Sequence, residues 1–280
     1  MAGDPSSWPA AWLVPDWPAP ARVRAVFTTR EGGVSQPPCD GFNLGDHVGD
    51  APPAVAGNRA TLARALGAQP LFMRQVHGLT VAELGPAPQP APVVADACLT
   101  SLPGQACTVM VADCLPVLLC DAQGRWVAAA HAGWRGLAGA GPQGPLAAPG
   151  IGVLESLWAA LQRRVLRDGA DPQAVRWLAW LGPCIGPVAF EVGAEVRSAF
   201  VVHDPGAEAH FEHLQAGKYR ADLAGLARRR LHALGVDSVS GNDGSAAWCT
   251  VGQPSRFFSH RRDALRLGST GRMAACIWRD

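Results

Sequence analysis

The chain has 280 residues, 48% of them hydrophobic, and a formal net charge of +1 with both signs dispersed along it. No apolar run approaches the roughly 20 residues that a transmembrane helix needs, and no basic excess indicates nucleic acid as a partner. These features exclude the membrane-spanning, disordered and nucleic-acid-binding classes, and they indicate a globular protein of one or two domains.

The first residues contain no basic segment followed by an apolar stretch, so we expect a cytoplasmic protein in a reducing compartment. In that compartment the eight cysteines are expected to be buried small residues, metal ligands or nucleophiles rather than disulfide partners. Seven of them stand singly among apolar or turn residues, which indicates structural roles. Cys114 differs because it follows Asp113 inside the apolar run "VADCLPVLLCD".

The N-terminal half begins with an irregular segment and leads into strands. Residues 1–21 hold five prolines and three tryptophans, which predicts an irregular arm, and residues 22–280 are expected to form one catalytic domain. "VRAVFTTR" predicts a strand, a long polar loop follows, and a helix is predicted from about Pro53 to Leu66 with Gly67 as its stop. Four further strands are predicted at "LFMRQVHG", "ACTVMVADC", "LPVLLCD" and "WVAAAHAG", with a Pro-rich excursion at 86–92.

The C-terminal half alternates less regularly between helical and strand patterns. A Gly/Ala/Pro loop at 136–150 precedes an amphipathic helix at about 151–167, and "VRWLAWLGPCIGP" predicts a strand. Helical patterns return at 193–200 and 219–234, whereas "FFSHRRD" and "GRMAACIW" predict the last strands. This order predicts a single α/β domain with mixed sheets.

Three candidate metal ligands stand at the ends of strand-like runs: His77 in "RQVHG", Cys114 in "VADC" and His131 in "AAHAGWRG". Two imidazoles and a thiolate suit zinc, and three protein ligands with a fourth position open are typical of a catalytic site. The spacing alone leaves a structural interpretation open, in which Cys114 fills the core and Asp113 caps the turn before Pro116.

A set of longer motifs runs in order from about residue 22 to 278. They are "FTTREGGVSQPP", "FNLGDHVGD", "RQVHG", "ADCLPVLLCD", "HAGWRGLAG", "GPCIGP", "FFSHRRD" and "TGRMAACIW". Together they closely resemble the YfiH-like family, described as purine nucleoside phosphorylases and also as polyphenol oxidases or laccases. The resemblance implies a four-layer α/β/β/α fold with a single zinc ion on His77, Cys114 and His131.

The family's activities are phosphorolysis of adenosine, inosine, guanosine and methylthioadenosine, and zinc-linked deamination of adenosine. Peptidoglycan editing and copper-dependent polyphenol oxidation are also attributed to it. A multicopper oxidase needs several copper centres and many histidine ligands, whereas this chain has eight histidines and half of them lie outside the matched motifs. The histidine content therefore argues against polyphenol oxidation. One open metal site lowers the pKa of a bound water toward about 7, which suits deamination.

Phosphorolysis needs cations for phosphate, and the candidates from the motifs are Arg30, Arg261 and Arg262, because guanidinium binds phosphate bidentately. Arg262 is the preferred catalytic residue, with Arg30 next and Arg261 expected to bind substrate. Asp113 is the candidate general base or orienting group.

Asn43 and His47 are expected either to line the substrate pocket or to hold a turn. Trp134 and Arg135 are candidates for substrate contact, although an aromatic side chain packed beneath the ligand turn is the simpler interpretation. Insertions at 138–150 and 264–269, relative to the family pattern, are expected beside the site.

The sequence thus predicts a zinc-dependent purine nucleoside phosphorylase with adenosine deaminase activity, acting on a nucleoside and phosphate. The alternatives are a peptidoglycan-precursor hydrolase with Cys114 as nucleophile, a copper-dependent polyphenol oxidase, and a non-catalytic metal-binding regulatory protein.

Overall fold

The computed structural model describes residues 8–86, 93–140 and 150–280. The strands are β1 (Val23–Phe27), β2 (Gln69–Leu71), β3 (Val81–Glu83), β4 (Ala97–Thr100), β5 (Gln105–Val111), β6 (Leu115–Asp121), β7 (Val127–Ala132), β8 (Trp177–Leu181), β9 (Glu191–Gly193), β10 (Phe211–His213), β11 (Lys218–Ala221), β12 (Ser238–Gly241) and β13 (Met273–Arg279). The helices are α1 (Pro52–Leu66), α2 (Trp134–Ala138), α3 (Val153–Arg167), α4 (Ala194–Val201), α5 (Leu223–Ala233) and α6 (His260–Leu267).

Two large sheets form the centre of the protein. The four-stranded sheet has the order β1-β13-β5-β2, and the six-stranded sheet has the order β12-β8-β6-β7-β4-β3. Both are mixed, because β2 runs parallel to β5 while β13 is antiparallel to it, and β12 runs parallel to β8 while β6 is antiparallel to it. A small antiparallel sheet of β10, β11 and β9 is separate in hydrogen bonding, but Val192, Phe211 and Ala221 are buried in the core that also contains the six-stranded sheet.

Strand periodicity explains why the two large sheets pack face to face. In β5, Cys107, Val109 and Val111 point into the core between the sheets, whereas Ala106 and Met110 point to the opposite side. In β6, Leu118 enters the same central core and Leu119 faces the other way. Both faces of each strand are apolar, as expected for strands that are covered on both sides.

Helices cover the outer faces of both sheets. Leu62 and Leu66 of α1 pack against the four-stranded sheet together with Trp8 and Trp12 of the N-terminal arm. The apolar stripe of α3, with Leu157 and others, packs on the six-stranded sheet beside α2, α4 and α5. The order of layers is therefore α/β/β/α, and the predicted fold class is confirmed.

Several predicted elements are wrong in type or extent. The strand predicted at "FFSHRRD" is a helix start, because Ser259 accepts a hydrogen bond from the backbone N–H of Arg262 and caps α6. Part of the predicted helix at 219–234 is strand β11, because Asp222 caps α5 only after it. The strand predicted at "LFMRQVHG" ends with β2 at Leu71.

The two predicted insertions meet different outcomes. The loop predicted at 136–150 contains the end of α2, and its residues 141–149 lie outside the described residues, as do residues 87–92 of the Pro-rich excursion and residues 1–7. Of residues 264–269, the first four belong to α6, which ends at Leu267 with Gly268 as its C-cap. Leu265 is exposed to solvent. None of the described helices is long and apolar enough to cross a membrane.

Candidate metal centre and its cavity

Cys114 lies where the chain passes from one large sheet to the other. Residues 112–114 connect β5 of the four-stranded sheet to β6 of the six-stranded sheet. Asp113 has a φ of 88°, a left-handed conformation that few non-glycine residues adopt. Because the strand has ended, the alternation of a regular strand does not separate Asp113 from Cys114, and both side chains line one cavity.

His131 reaches the same place from the neighbouring strand. β7 pairs with β6 in antiparallel register, with His131 opposite Pro116, so the end of β7 lies beside Cys114. The imidazole is buried, and its Nδ1 lies 2.9 Å from a carboxylate oxygen of Asp96. That contact leaves the other ring nitrogen, Nε2, for the cavity side.

His77 is brought in by a loop that the same Asp96 holds. The fully buried Asp96 carboxylate accepts backbone N–H groups from Val76, His77 and Gly78, at 3.1, 2.9 and 2.8 Å. His77 itself has a φ of 59°, which these bonds stabilise. One carboxylate therefore positions both histidines, as carboxylates behind metal-binding histidines commonly do.

The three ligand atoms are close enough to share one ion. All lie within 4.8 Å of one another, and Cys114 Sγ is 3.6 Å from His77 Nε2. Zinc bonds of about 2.0–2.3 Å in tetrahedral geometry place neighbouring ligand atoms about 3.5 Å apart. The donor set and its spacing fit a metal ion, and it is the one such cluster among the described residues.

The electrostatics favour a deprotonated Cys114. Burial alone raises the pKa of its thiol, but the charge of His131 and hydrogen bonds from both histidines outweigh this and bring the pKa to about 6. Burial lowers the pKa of His131, whereas the Cys114 thiolate and Asp96 raise it to about 9. A thiolate is the form that binds metal or attacks as a nucleophile.

Other cysteines have the opposite environment. Burial raises the pKa of the Cys120, Cys184 and Cys276 thiols above the ordinary value. All eight cysteines are free, and Cys114 is the one that is not fully buried. Its environment distinguishes it as the reactive thiol of the set.

The "HAGWRG" motif has a steric role at the centre. A Cβ at Gly133 would lie 2.6 Å from His77 Cδ2 and 2.9 Å from Cys114 Sγ, closer than real Cβ atoms approach other atoms. Gly133 is therefore required for the two ligands to meet, whereas its φ of −68° is open to any residue.

A cavity of about 360 Å³ opens over the three ligands, within the range of small-molecule sites. Its apolar wall consists of Met110, Trp134, Ile185, Phe190 and Leu223. Its basic side chains are His47, Arg135, His260, Arg261 and Arg272. Two larger clefts of about 800 and 720 Å³ lie along α3 and α5, and neither contains the metal-ligand cluster.

Besides the three metal ligands, three of the predicted catalytic and substrate-binding residues line this cavity, as do Trp134 and Arg135. His47 and Arg261 do so with exposed side chains, and Asp113 does so with a buried carboxylate. The two Asp113 carboxylate oxygens accept hydrogen bonds from the Thr250 hydroxyl and the backbone N–H of Arg261, each at 2.6 Å. These contacts dock the start of α6 on the ligand turn, so they favour an orienting role over that of a general base.

The other predicted residues lie outside the cavity lining. The guanidinium group of Arg262 donates hydrogen bonds to Asp263 and to the carbonyls of Thr250, Val251 and Phe257. These contacts indicate a structural role for Arg262. Its side chain does not line the cavity, so no contact supports the catalytic role predicted for it.

Arg30 and Asn43 are also engaged elsewhere. Arg30 donates to Asp40 and to the Pro254 carbonyl and stacks on Phe258, with its centre 4.7 Å from that ring. The buried Asn43 side chain bonds to the backbone of Gly45 and Arg272, and it supports the cavity wall from behind. Neither side chain lines the cavity.

Two important residues escaped the sequence prediction. Asp96 lies just before β4 and outside the quoted motifs, and only its buried contacts with two distant segments reveal its position behind the histidines. Arg272 stands in the quoted motif "TGRMAACIW", but its approach to the centre depends on how β13 pairs with β5. No local sequence signal encodes that pairing.

The fold and the site together define an α/β/β/α protein with one candidate metal centre beside a small-molecule cavity. The chain belongs to the YfiH-like family, whose model, described as "Multi-copper polyphenol oxidoreductase laccase", matches residues 24–280.

Similar proteins agree over nearly the whole length. The Escherichia coli protein named purine nucleoside phosphorylase YfiH is 46% identical over 95% of this chain and 98% of its own. A purine nucleoside phosphorylase of Pseudomonas aeruginosa is 47% identical over 96% of this chain and 98% of its own. The crystal structure of a Neisseria meningitidis protein has a TM-score of 0.81 and 43% identity, covering 96% of this chain and 99% of that one.

Proposed function

We propose that this chain is a metal-dependent purine nucleoside phosphorylase whose site is the cavity above His77, Cys114 and His131. The observation that carries the proposal is that this one cavity combines a three-ligand centre, an apolar wall with Trp134 and Phe190, and a set of basic side chains. The names of the E. coli and P. aeruginosa relatives support the same reaction class.

The metal is proposed to be zinc, with copper as the less favoured ion. Two imidazoles and a thiolate with an open position are a zinc set, and the described residues contain one such cluster, whereas multicopper oxidation needs several. When bound, the ion would supply Lewis-acid activation of a water molecule or a substrate oxygen.

Phosphorolysis involves three changes at the substrate, which the protein's own residues have to support. The N-glycosidic bond breaks, a bond forms between ribose C1′ and a phosphate oxygen, and the base leaves with the electron pair. Trp134 and Phe190 offer apolar faces for the purine ring, and basic side chains bind the anion beside the sugar. Asp113 is proposed to hold α6, with His260 and Arg261, against this site.

Adenosine deamination is proposed as a second activity of the same cavity. It replaces the amino group at purine C6 by a water-derived oxygen and releases ammonia, so it needs the metal centre but no phosphate. The two activities are therefore separated by one variable, the presence of phosphate. Inosine, guanosine and methylthioadenosine are proposed as further phosphorolysis substrates because they share the purine and ribose groups.

A second candidate function rests on the lowered pKa of Cys114. A thiolate without metal is a nucleophile, which supports hydrolysis of a peptidoglycan precursor as the alternative. Metal binding and nucleophilic attack use the same sulfur, so the metal content decides between them. A chain with metal and no turnover would instead be a metal-binding regulatory protein.

The protein is proposed to be cytoplasmic, and its eight free cysteines support a reducing compartment. Residues 22–280 are proposed as the catalytic domain, in keeping with the family match from residue 24. Residues 1–21 are then an arm, of which Trp8 and Trp12 pack under α1.

The test is adenosine turnover with and without phosphate, measured for the parent, His77→Ala and His131→Ala. His213→Ala, an exposed histidine on β10, is the control. We expect ribose 1-phosphate only with phosphate, inosine without it, and loss of both products in the two ligand variants alone. Metal-loaded parent protein that leaves every purine nucleoside unchanged would refute the proposal.

A further inference from the structure

Arg272 places a positive charge in the cavity and forms no ion pair with any described residue. Its side chain is partly buried, and no carboxylate of the described residues lies within ion-pair distance of it. By contrast, Arg262 is paired with Asp263 and Arg30 with Asp40. Burial lowers the pKa of the Arg272 guanidinium, opposed by the nearby Cys114 and Asp113, which reflects the cost of a cation held there without a partner.

The hydrogen bonds of Arg272 leave one edge of its guanidinium group open. Nη1 donates to the carbonyls of Thr270 and Gly271, at 2.9 and 3.2 Å. Nε and Nη2 make no hydrogen bond to any described residue. These two nitrogens form the side-on fork that binds two oxygens of a carboxylate or phosphate at once.

The position of Arg272 is fixed before any ligand arrives. Its backbone N–H donates to the buried Asn43 side chain at 2.8 Å. A Cβ at Gly45 would lie 2.7 Å from Arg272 Cγ, so the side-chain stem packs directly on the Gly45 backbone. A cation held by such contacts loses little conformational entropy when it binds an anion.

The surroundings of Arg272 also favour an anion. His47, Arg135, His260 and Arg261 line the same cavity. The carboxylate of Asp113 already accepts hydrogen bonds on both oxygens, and the Cys114 sulfur faces two histidines. The cavity therefore offers more donors and positive groups than its own acidic groups satisfy.

We propose that the Nε–Nη2 edge of Arg272 binds the phosphate co-substrate and presents it beside the metal centre. This rests on the proposed phosphorylase function. In the reaction, an oxygen of hydrogen phosphate bonds to ribose C1′, the N-glycosidic bond breaks, and the base takes its electron pair and the proton of the hydrogen phosphate. Arg272 replaces Arg262 and Arg30 as the residue expected to determine phosphate affinity.

The test separates phosphate affinity from nucleoside affinity in metal-loaded enzyme. Arg272→Met removes the fork, Arg272→Lys keeps the charge without it, and Arg266→Met removes an exposed arginine of α6 as the control. Loss of a bidentate charged contact should raise the KM for phosphate by about 10- to 100-fold in Arg272→Met and less in Arg272→Lys. The KM for adenosine, phosphate-independent inosine formation and metal content should stay within about twofold of the parent, as in the control.

Two results would overturn the role of Arg272. One is an unchanged KM for phosphate in Arg272→Met, and the other is a joint rise of both KM values or a loss of metal in both Arg272 variants. A separate measurement applies if the parent protein shows no phosphorolysis activity. Calorimetric titration with inorganic phosphate should then still detect binding to the parent and not to Arg272→Met, whereas equal binding to both would refute the anion site itself.

Discussion

At the scale of single residues, the candidate centre is organised by a side chain that lies outside the cavity lining. Asp96 accepts three consecutive backbone N–H groups at 76–78 and also contacts His131. Hydrogen bonds and the neighbouring His131 lower the pKa of its carboxyl, although burial acts to raise it. Asp96 therefore couples the loop of one ligand to the ring orientation of another.

Replacing Asp96 by Asn should weaken metal binding, because the amide holds the loop less well and no longer carries the charge that orients His131. We expect the zinc dissociation constant, measured by competition with a chelator, to rise about 10- to 100-fold. Asp121→Asn is the matched control, since buried Asp121 also accepts N–H groups of a turn, at the far end of β6. If both variants bound zinc as the parent does, Asp96 would have no part in the centre.

Gly133→Ala tests the spacing of the ligands with one methyl group. The new Cβ would overlap His77 and Cys114, so one of them has to move, and we expect metal content well below that of the parent. Gly57→Ala in α1 has room for its Cβ, 3.7 Å from Val34, and should keep its metal and gain up to about 1 kcal/mol in the free energy of unfolding. Full metal content in Gly133→Ala would contradict the assigned geometry.

The sequence could predict these ligands only in part. His77, Cys114 and His131 are 37 and 17 residues apart, and their meeting depends on sheet pairing that no local pattern encodes. Ligand chemistry at the ends of strand-like runs suggested the triad but left a structural interpretation open, and the resemblance of whole motifs then supported it. It gave no access to Asp96 or Arg272, whose positions depend on long-range contacts.

At the scale of elements, α6 shows why local patterns fail near the site. The aromatic pair Phe257 and Phe258 is typical of a strand, but both are buried in a loop before the helix. The capping of α6 by Ser259 and the contact of Asp113 with Arg261 override that pattern. By contrast, α3 has an apolar stripe at helical spacing and strands β5 to β8 are continuous apolar runs, and each was predicted within a few residues or somewhat too long.

Ser259→Ala should destabilise the protein through α6. The substitution leaves the N–H of Arg262 without its acceptor, and loss of an N-cap costs about 0.5–2 kcal/mol of unfolding free energy. Ser255→Ala, at an exposed position four residues earlier, should change it by less than about 0.5 kcal/mol. Urea unfolding measures both, and equal stabilities would show that the cap contributes nothing.

At the scale of the whole molecule, acidic residues with lowered pKa values occur on several elements. Burial acts to raise the pKa of Asp222, but the His210 imidazole, whose Nδ1 is 3.7 Å from the carboxylate, and a hydrogen bond from the N–H of Gly225 outweigh it and hold the pKa below the usual value. Burial also acts to raise the pKa values of Asp168 and Asp263, but Arg164 lowers that of Asp168 and Arg262 lowers that of Asp263. Each charged carboxylate thus stabilises the folded state.

Stability should therefore fall in acid. A carboxyl whose pKa is lower in the folded state contributes fully above its unfolded value of about 4 and loses that contribution as the pH falls through the folded pKa. Asp222→Asn keeps a cap for α5 but not the charge, so its deficit in unfolding free energy relative to the parent should be present at pH 6 and shrink toward pH 3. A deficit independent of pH in urea unfolding would contradict this.

We propose that His77, Cys114 and His131 together hold one catalytic metal ion. The most direct measurement is elemental analysis of protein purified without added metal, for the parent, Cys114→Ala and the control Cys184→Ala, whose thiol is buried and has a raised pKa. We expect about one zinc per chain in the parent and the control and almost none in Cys114→Ala, because the ion needs all three ligands. Equal metal content in all three proteins, or none in the parent, would contradict it.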